Sequence, residues 1–135
     1  MITQADYEAR FGVDELLRVS DPQRTGAVDP ETFAAAVTAA SALIEAHLGV
    51  RYALPITPVP ALILDVAADL TRERLHGERV SELILERGRQ ARRVLGDLAA
   101  GRMALNGTAA PRPGGGAAPS VRPGLTTLTD ALKDF

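Results

Sequence analysis

The chain has 135 residues, 46% of them hydrophobic, a formal net charge of −2 and no cysteine. That length fits one domain with a single core, and the lack of Cys excludes a disulfide framework or any thiolate used for metal, redox or nucleophilic chemistry. The near-balanced charge gives no bulk reason to expect nucleic-acid binding. With three Phe and two Tyr, the interior must be filled by Ala, Leu and Val, which favours close-packed helices.

The opening residues, Met1-Ile2-Thr3-Gln4-Ala5-Asp6, lack the basic stretch and apolar run of a signal peptide, so a cytoplasmic setting is expected. Thr3 can cap a first helix over residues 4–11, with Asp6 three residues on completing a capping box. Tyr7 and Phe11, four apart, share a face and can dock together. Gly12 stops this helix. A second short helix is expected over about residues 14–19, with Asp14 as its cap and Leu16 and Leu17 inward. Asp21-Pro22-Gln23-Arg24-Thr25-Gly26 reads as a turn-rich loop. It carries Asp at the first position and Gly at the sixth of a calcium loop. Gln23 and Thr25 replace acidic ligands, however, and Thr32 stands where a bidentate Glu is needed. A polar turn is the expectation.

The clearest helix start follows, with Asp29 as N-cap, Pro30 at the first helical position and Glu31 in the first turn. This helix should run to Leu48 and end at Gly49 in the left-handed conformation. Phe33, Val37, Ala40, Ile44 and Leu48 keep the 3.6-residue period. Ala34, Ala35, Ala39, Ala42 and Ala46 make its other faces small enough for close helix neighbours. Pro55, Pro58 and Pro60 make residues 51–60 an extended crossing.

A further helix should start near Val59 or Pro60 and run to Leu75, burying Leu62, Ile63, Val66, Ala67 and Leu70. The apolar run at its start, broken by Asp65 and Asp69, falls short of the roughly 20 residues a bilayer span needs. After a break at His76-Gly77, a last long helix is expected over 78–100. Val80, Leu83, Ile84, Ala91, Leu95 and Leu98 would face inward, with Gly101 as the stop. Gly88 and Gly96 weaken it by roughly 1 kcal/mol each relative to Ala where exposed.

Residues 106–124 are dominated by Gly, Ala, Pro and Ser without apolar period and are expected to be a flexible linker. Leu125, Leu128, Leu132 and Phe135 then form one face of a short amphipathic segment, with Thr127 or Thr129 as cap. About eleven residues cannot hold a helix alone in water, so these four are the candidate partner-binding residues. The expected architecture is all-α: a bundle of four to five helices over residues 1–105, a linker over 106–124 and a docking segment over 125–135.

No catalytic, cofactor-binding or metal-binding set is expected. Asp65, Asp69 and Glu73 recur every four residues, but no metal or acid–base motif accompanies them. Arg51, Arg72 and Arg74 offer ordinary ion-pair partners. His47 and His76 each sit at a helix end, where a structural role at the dipole suffices. Gly114-Gly115-Gly116 lacks the Lys-Ser/Thr and the strand of a phosphate loop. Eight of the fifteen Lys and Arg residues (Arg72, Arg74, Arg79, Arg87, Arg89, Arg92, Arg93 and Arg102) interleave with Glu73, Glu78, Glu82, Glu86 and Asp97. The first expectation is a solvated or partner-facing surface. The alternative is a small helical DNA-binding regulator using this Arg72–Arg102 region.

Taken together, certain stretches resemble a family from Mu-like phages and prophages. They are Ile2-Thr3, Tyr7, Arg10-Phe11-Gly12, Glu15-Leu16-Leu17 and the Asp21 loop before a capped helix. Further along come Ile44, Leu48-Gly49-Val50-Arg51-Tyr52-Ala53-Leu54-Pro55, Val59-Pro60, Ala67-Ala68-Asp69-Leu70-Thr71-Arg72 and Ala99-Ala100-Gly101-Arg102. The likeness covers about residues 1–105, with a looser match at the C-terminal segment, and rests on order and spacing rather than on one motif. It implies a head–tail connector (adaptor) of the virion, assembled in the host cytoplasm. Such a subunit packs as a ring, in twelve copies, under the portal protein and above a tail-side connector protein. DNA passes through that ring without sequence-specific binding. The long Ala/Pro/Gly linker departs from this class.

Overall fold

The computed structural model describes residues 1–105. The expected linker over 106–124 and the segment 125–135, with Leu125, Leu128, Leu132 and Phe135, lie outside the described residues. Within them the chain forms five α-helices and one short 3₁₀ turn: α1 (Gln4–Phe11), α2 (Val13–Ser20), α3 (Pro30–Leu48), α4 (Ala61–His76), the turn Gly77–Arg79, and α5 (Glu82–Ala100). The described residues are all-α.

Local chemistry sets most boundaries. The Thr3 hydroxyl accepts from Asp6 N–H at 3.1 Å, and the Asp6 carboxylate accepts from Thr3 N–H at 3.0 Å, closing the capping box. Asp29 accepts from Glu31 N–H at 3.2 Å and starts α3 with Pro30 in its first turn. Ser81 accepts from Ile84 N–H and starts α5. Gly101, at φ +84°, ends it in the left-handed conformation.

Several boundaries differ from expectation. Asp14 does not cap α2. Gly12, at φ +97°, joins α1 to α2 without an intervening loop, so Asp14 falls within the first turn. Gly49 is right-handed rather than left-handed, because the chain continues as a turn in which Arg51 and Tyr52 N–H bond to Leu48 C=O. The last helix starts at Glu82 rather than 78, since a 3₁₀ turn and extended Val80 first redirect the chain. The crossing carries cis peptide bonds at Leu54–Pro55 and Thr57–Pro58.

Helices α3, α4 and α5 pack on one another, and α4 also receives α2. The core gathers Phe33, Ala40, Ile44 and Leu48 from α3, Ile63, Val66, Ala67, Ala68 and Leu70 from α4, and Ala91, Leu95 and Leu98 from α5. Tyr7 and Leu16, both fully buried, bring α1 and α2 onto it. The expected Tyr7–Phe11 pair forms edge to face at 4.8 Å, and Phe33 adds a second such contact at 5.9 Å.

Four expected inward residues are not in it: Leu17 and Val80 are half-buried outside the core, and two more are exposed. Leu62 is 36% exposed and Leu83 is 66% exposed. Each stands one residue, about 100° around its helix, before the true stripe residue, Ile63 or Ile84. Ala34, Ala35, Ala42 and Ala46 of α3 are exposed to solvent rather than covered by a helix of this chain, while Ala36 and Ala40 face inward.

Gly88 and Gly96 of α5 differ sharply. Gly88 is buried where α5 crosses Glu73 of α4, and a Cβ there would collide with the Glu73 carboxylate that Arg92 holds. At Gly96 a Cβ meets nothing within 4 Å. Gly96→Ala is therefore expected to raise unfolding free energy by up to about 1 kcal/mol. Gly88→Ala should forfeit that gain, because the Glu73 carboxylate must swing away and give up its Arg92 pair, a loss of about 0–1 kcal/mol. Urea denaturation of the two variants checks the contrast.

Candidate interaction surfaces

Glu15 of α2 is a carboxylate bonded from two other helices, α1 and α4. It accepts from Arg72 Nε and Nη2 at 2.8 Å each and from the Tyr7 hydroxyl at 3.0 Å. The Arg72 guanidinium lies over the Phe11 ring, 4.3 Å from its centroid. His76 donates its Nδ1 hydrogen to Arg72 C=O at 3.0 Å and brings Nε2 to 3.9 Å from Glu15. Burial pushes the Glu15 carboxyl up, but the Arg72 and Tyr7 hydrogen bonds outweigh it and hold the group below the ordinary carboxylate range. Burial, with the Glu15 charge behind it, pushes the Tyr7 hydroxyl up. The node joins α1, α2 and α4.

The carboxylate series on α4 is ion-paired, as its spacing suggested, but not with Arg51, Arg72 or Arg74. Asp65 pairs with Arg10 of α1, Asp69 with Arg87 at 3.5 Å and Glu73 with Arg92 at 2.9 Å. The reason is rotation: residues four apart drift around the helix, so the series meets α1 first and α5 afterwards. Arg72 is engaged by Glu15. Arg51 donates to Leu98 C=O at 3.4 Å and lies 5.8 Å from the Tyr52 ring centroid. His47 donates its Nδ1 hydrogen to Leu43 C=O at 2.9 Å.

The arginines of the 72–102 region are also largely neutralised. Beyond the pairs above, Arg89 bonds Glu82 and Glu86, Arg93 bonds Glu86, and Arg102 bonds Asp97 at 2.8 Å. Among the described residues only Arg74 and Arg79 of that set make no ion pair. A phosphate approaching α5 would have to displace carboxylates from most of its cations.

The unneutralised charge gathers elsewhere. At the end of the body formed by the C-terminal ends of α2 and α4 and the start of α5, a groove of about 1110 Å³ is lined by Arg18, Arg24 and Arg79 over Leu17, Leu75 and Ile84. These three arginines are exposed and make no ion pair among the described residues. The Asp21 loop forms one wall. Its carboxylate accepts from Thr25 N–H at 2.8 Å, Thr25 Oγ1 at 3.1 Å and Gly26 N–H at 2.7 Å. Asp21 thus clamps a turn, and among the described residues no group of three or more His, Asp or Glu is placed to hold a metal.

The opposite end is apolar. There the end of α3, the start of α4 and the crossing enclose a cleft of about 210 Å³. Ile44, Leu48 and Ile63 form its buried floor, and Met1 and Leu54, 42% and 43% exposed, stand at its rim. The described chain leaves α5 at this end, where Leu105 N–H bonds the Tyr52 hydroxyl at 3.0 Å.

Neither the Glu15 node nor the basic groove is legible in the sequence. Arg18, Arg24 and Arg79 are spread over 61 positions of the sequence, and only the folding of α2 and the Asp21 loop against α4 brings them together. The four residues singled out for docking, Leu125, Leu128, Leu132 and Phe135, fall outside the described residues.

The family described as Bacteriophage Mu, Gp36 matches residues 2–122. No curated protein matches the chain. Among the described residues no helix is long and apolar enough to cross a membrane.

Because folded Glu15 ionises below the ordinary carboxylate range, its stabilisation is in place above about pH 5 and is lost as the pH falls through that range. Glu15→Gln is expected to cost about 1–2 kcal/mol at pH 7, where it removes a charge-assisted pair that is largely but not wholly buried. The variant should also lose less stability than the parent between about pH 5 and pH 3. Urea midpoints across that pH range read both effects; equal acid sensitivity would mean that Glu15 is not the group responsible.

Proposed function

The chain belongs to the bacteriophage Mu Gp36 family, and we propose from that premise that it is a head–tail connector subunit, an adaptor that acts by assembly rather than catalysis. In this reading it packs with copies of itself as a ring in the virion, between the portal ring and a tail-side connector protein. DNA passes through the ring without sequence-specific contact.

The observation that supports this best is the difference between the two ends of the body. One end presents a basic groove at Arg18, Arg24 and Arg79, the other an apolar cleft beneath Met1 and Leu54. A subunit between two unlike partners needs two unlike end faces. The exposed alanines of α3 offer a small-residue flank for a close lateral neighbour. The alternative of a DNA-binding regulator is weakened by the carboxylates paired along α5, since affinity for duplex DNA comes largely from free cations.

Electron microscopy of the chain mixed with its cognate portal tests the assignment. The expected result is an added ring of density on the portal; portals unchanged at saturating protein would count decisively against it. Arg18→Glu, Arg24→Glu and Arg79→Glu combined should lower complex formation more than tenfold. Because all three side chains are exposed, each change should alter stability by no more than about 0.5 kcal/mol.

A further inference from the structure

We propose that residues 125–135 seat their apolar face, Leu125, Leu128, Leu132 and Phe135, over the cleft of Ile44, Leu48, Leu54, Ile56, Val59 and Ile63 in the same chain. The inference stands apart from the connector reading: a seated segment would turn Asp130 and Asp134 outward, so this end of the body would still differ in charge from the basic groove.

Three observations carry it. The first is where the described chain leaves the body. Leu105 is tied by its N–H to the Tyr52 hydroxyl at 3.0 Å, and Leu54, two residues beyond Tyr52, already lines the cleft. Met103 and Leu105 pack against the core on the way. The chain therefore departs beside the cleft rather than across the molecule from it.

The second is length. Nineteen residues, 106–124, separate that exit from Leu125. A Gly-rich coil of that length has an r.m.s. span of about 24 Å. The cleft is adjacent to the exit and within that span; the basic groove, roughly the length of α4 away, about 24 Å for 16 residues, is within it too, so length admits both seats and the chemistry chooses between them. Such a tether sets an effective concentration on the order of millimolar for the segment at its own cleft.

The third is chemistry. The cleft has an apolar floor, and its volume of about 210 Å³ equals roughly seven waters. It leaves Met1 and Leu54 substantially exposed, which a covering apolar face would correct. The basic groove is a poorer seat. Asp130 and Asp134, the segment's two acidic side chains, fall on the wheel face opposite the four apolar residues and would point away from Arg18, Arg24 and Arg79.

The absence of native cysteine makes the test direct. Full-length chain carrying Leu54→Cys with Leu132→Cys is oxidised with copper–phenanthroline, alongside a control carrying Leu83→Cys, exposed at the far end of α5, with Leu132→Cys. A disulfide needs Cα atoms within about 7 Å, so the expected outcome is an intramolecular bond in the first pair and little in the control. Labelling of Leu54→Cys alone by a maleimide should speed up several-fold when Leu128→Asp and Leu132→Asp are added. Equal cross-linking in both pairs, or a labelling rate unmoved by the aspartates, overturns the proposal. Cross-links that join two chains and grow with protein concentration also overturn it, and would assign the cleft to a second copy.

Discussion

Two eight-residue helices are too short to persist in water by themselves, and the Glu15–Arg72 pair is the constraint that makes α1 and α2 part of the body. The carboxylate takes two charge-assisted bonds from α4 and a third from Tyr7 of α1. Removing it would leave the Arg72 guanidinium and the Tyr7 hydroxyl without an acceptor in a largely buried place. The apolar contribution is of the same design. Tyr7 meets both Phe11 and Phe33 edge to face, and the guanidinium covers Phe11, so three of the chain's five aromatic rings serve one junction.

With that junction fixed, the ends of the molecule follow. Docking of α2 carries Arg18 and the Asp21 loop against the end of α4, and this creates the basic groove. Folding of the crossing between α3 and α4 lays Leu54, Ile56 and Val59 over Ile44 and Ile63, and this creates the apolar cleft. The waist between the ends is electrically quiet. Its exposed ion pairs are each worth about 0–1 kcal/mol, so they matter less for stability than for hiding positive charge. The chain belongs to a phage family, and its neutralised middle separates two ends of unlike character.

Surroundings, buried or exposed, also reshape the acids outside the node. Asp69 is raised by desolvation, which Arg87 only partly offsets, whereas Asp21, bonded to backbone N–H groups, is lowered. The two carboxylates look alike in sequence, each with arginines nearby. Their difference arises from what surrounds each oxygen.

The sequence by itself determined the all-α class, the starts of α1 and α3, the Tyr7–Phe11 pair and the stop at Gly101. Caps, glycine stops and i, i+4 pairs act within a few residues, so the residue types at those positions decide them. It did not determine that Leu62 and Leu83 face solvent, that Asp14 lies inside α2 rather than before it, or which arginine each α4 carboxylate meets. A helical stripe about 100° wide admits a neighbour on either side, and the choice is made by the helix packed against it. The Glu15 node and the three-arginine groove were equally out of reach. Their members are distant along the chain, and electrostatic pairing depends on separation in space, which tertiary folding alone sets.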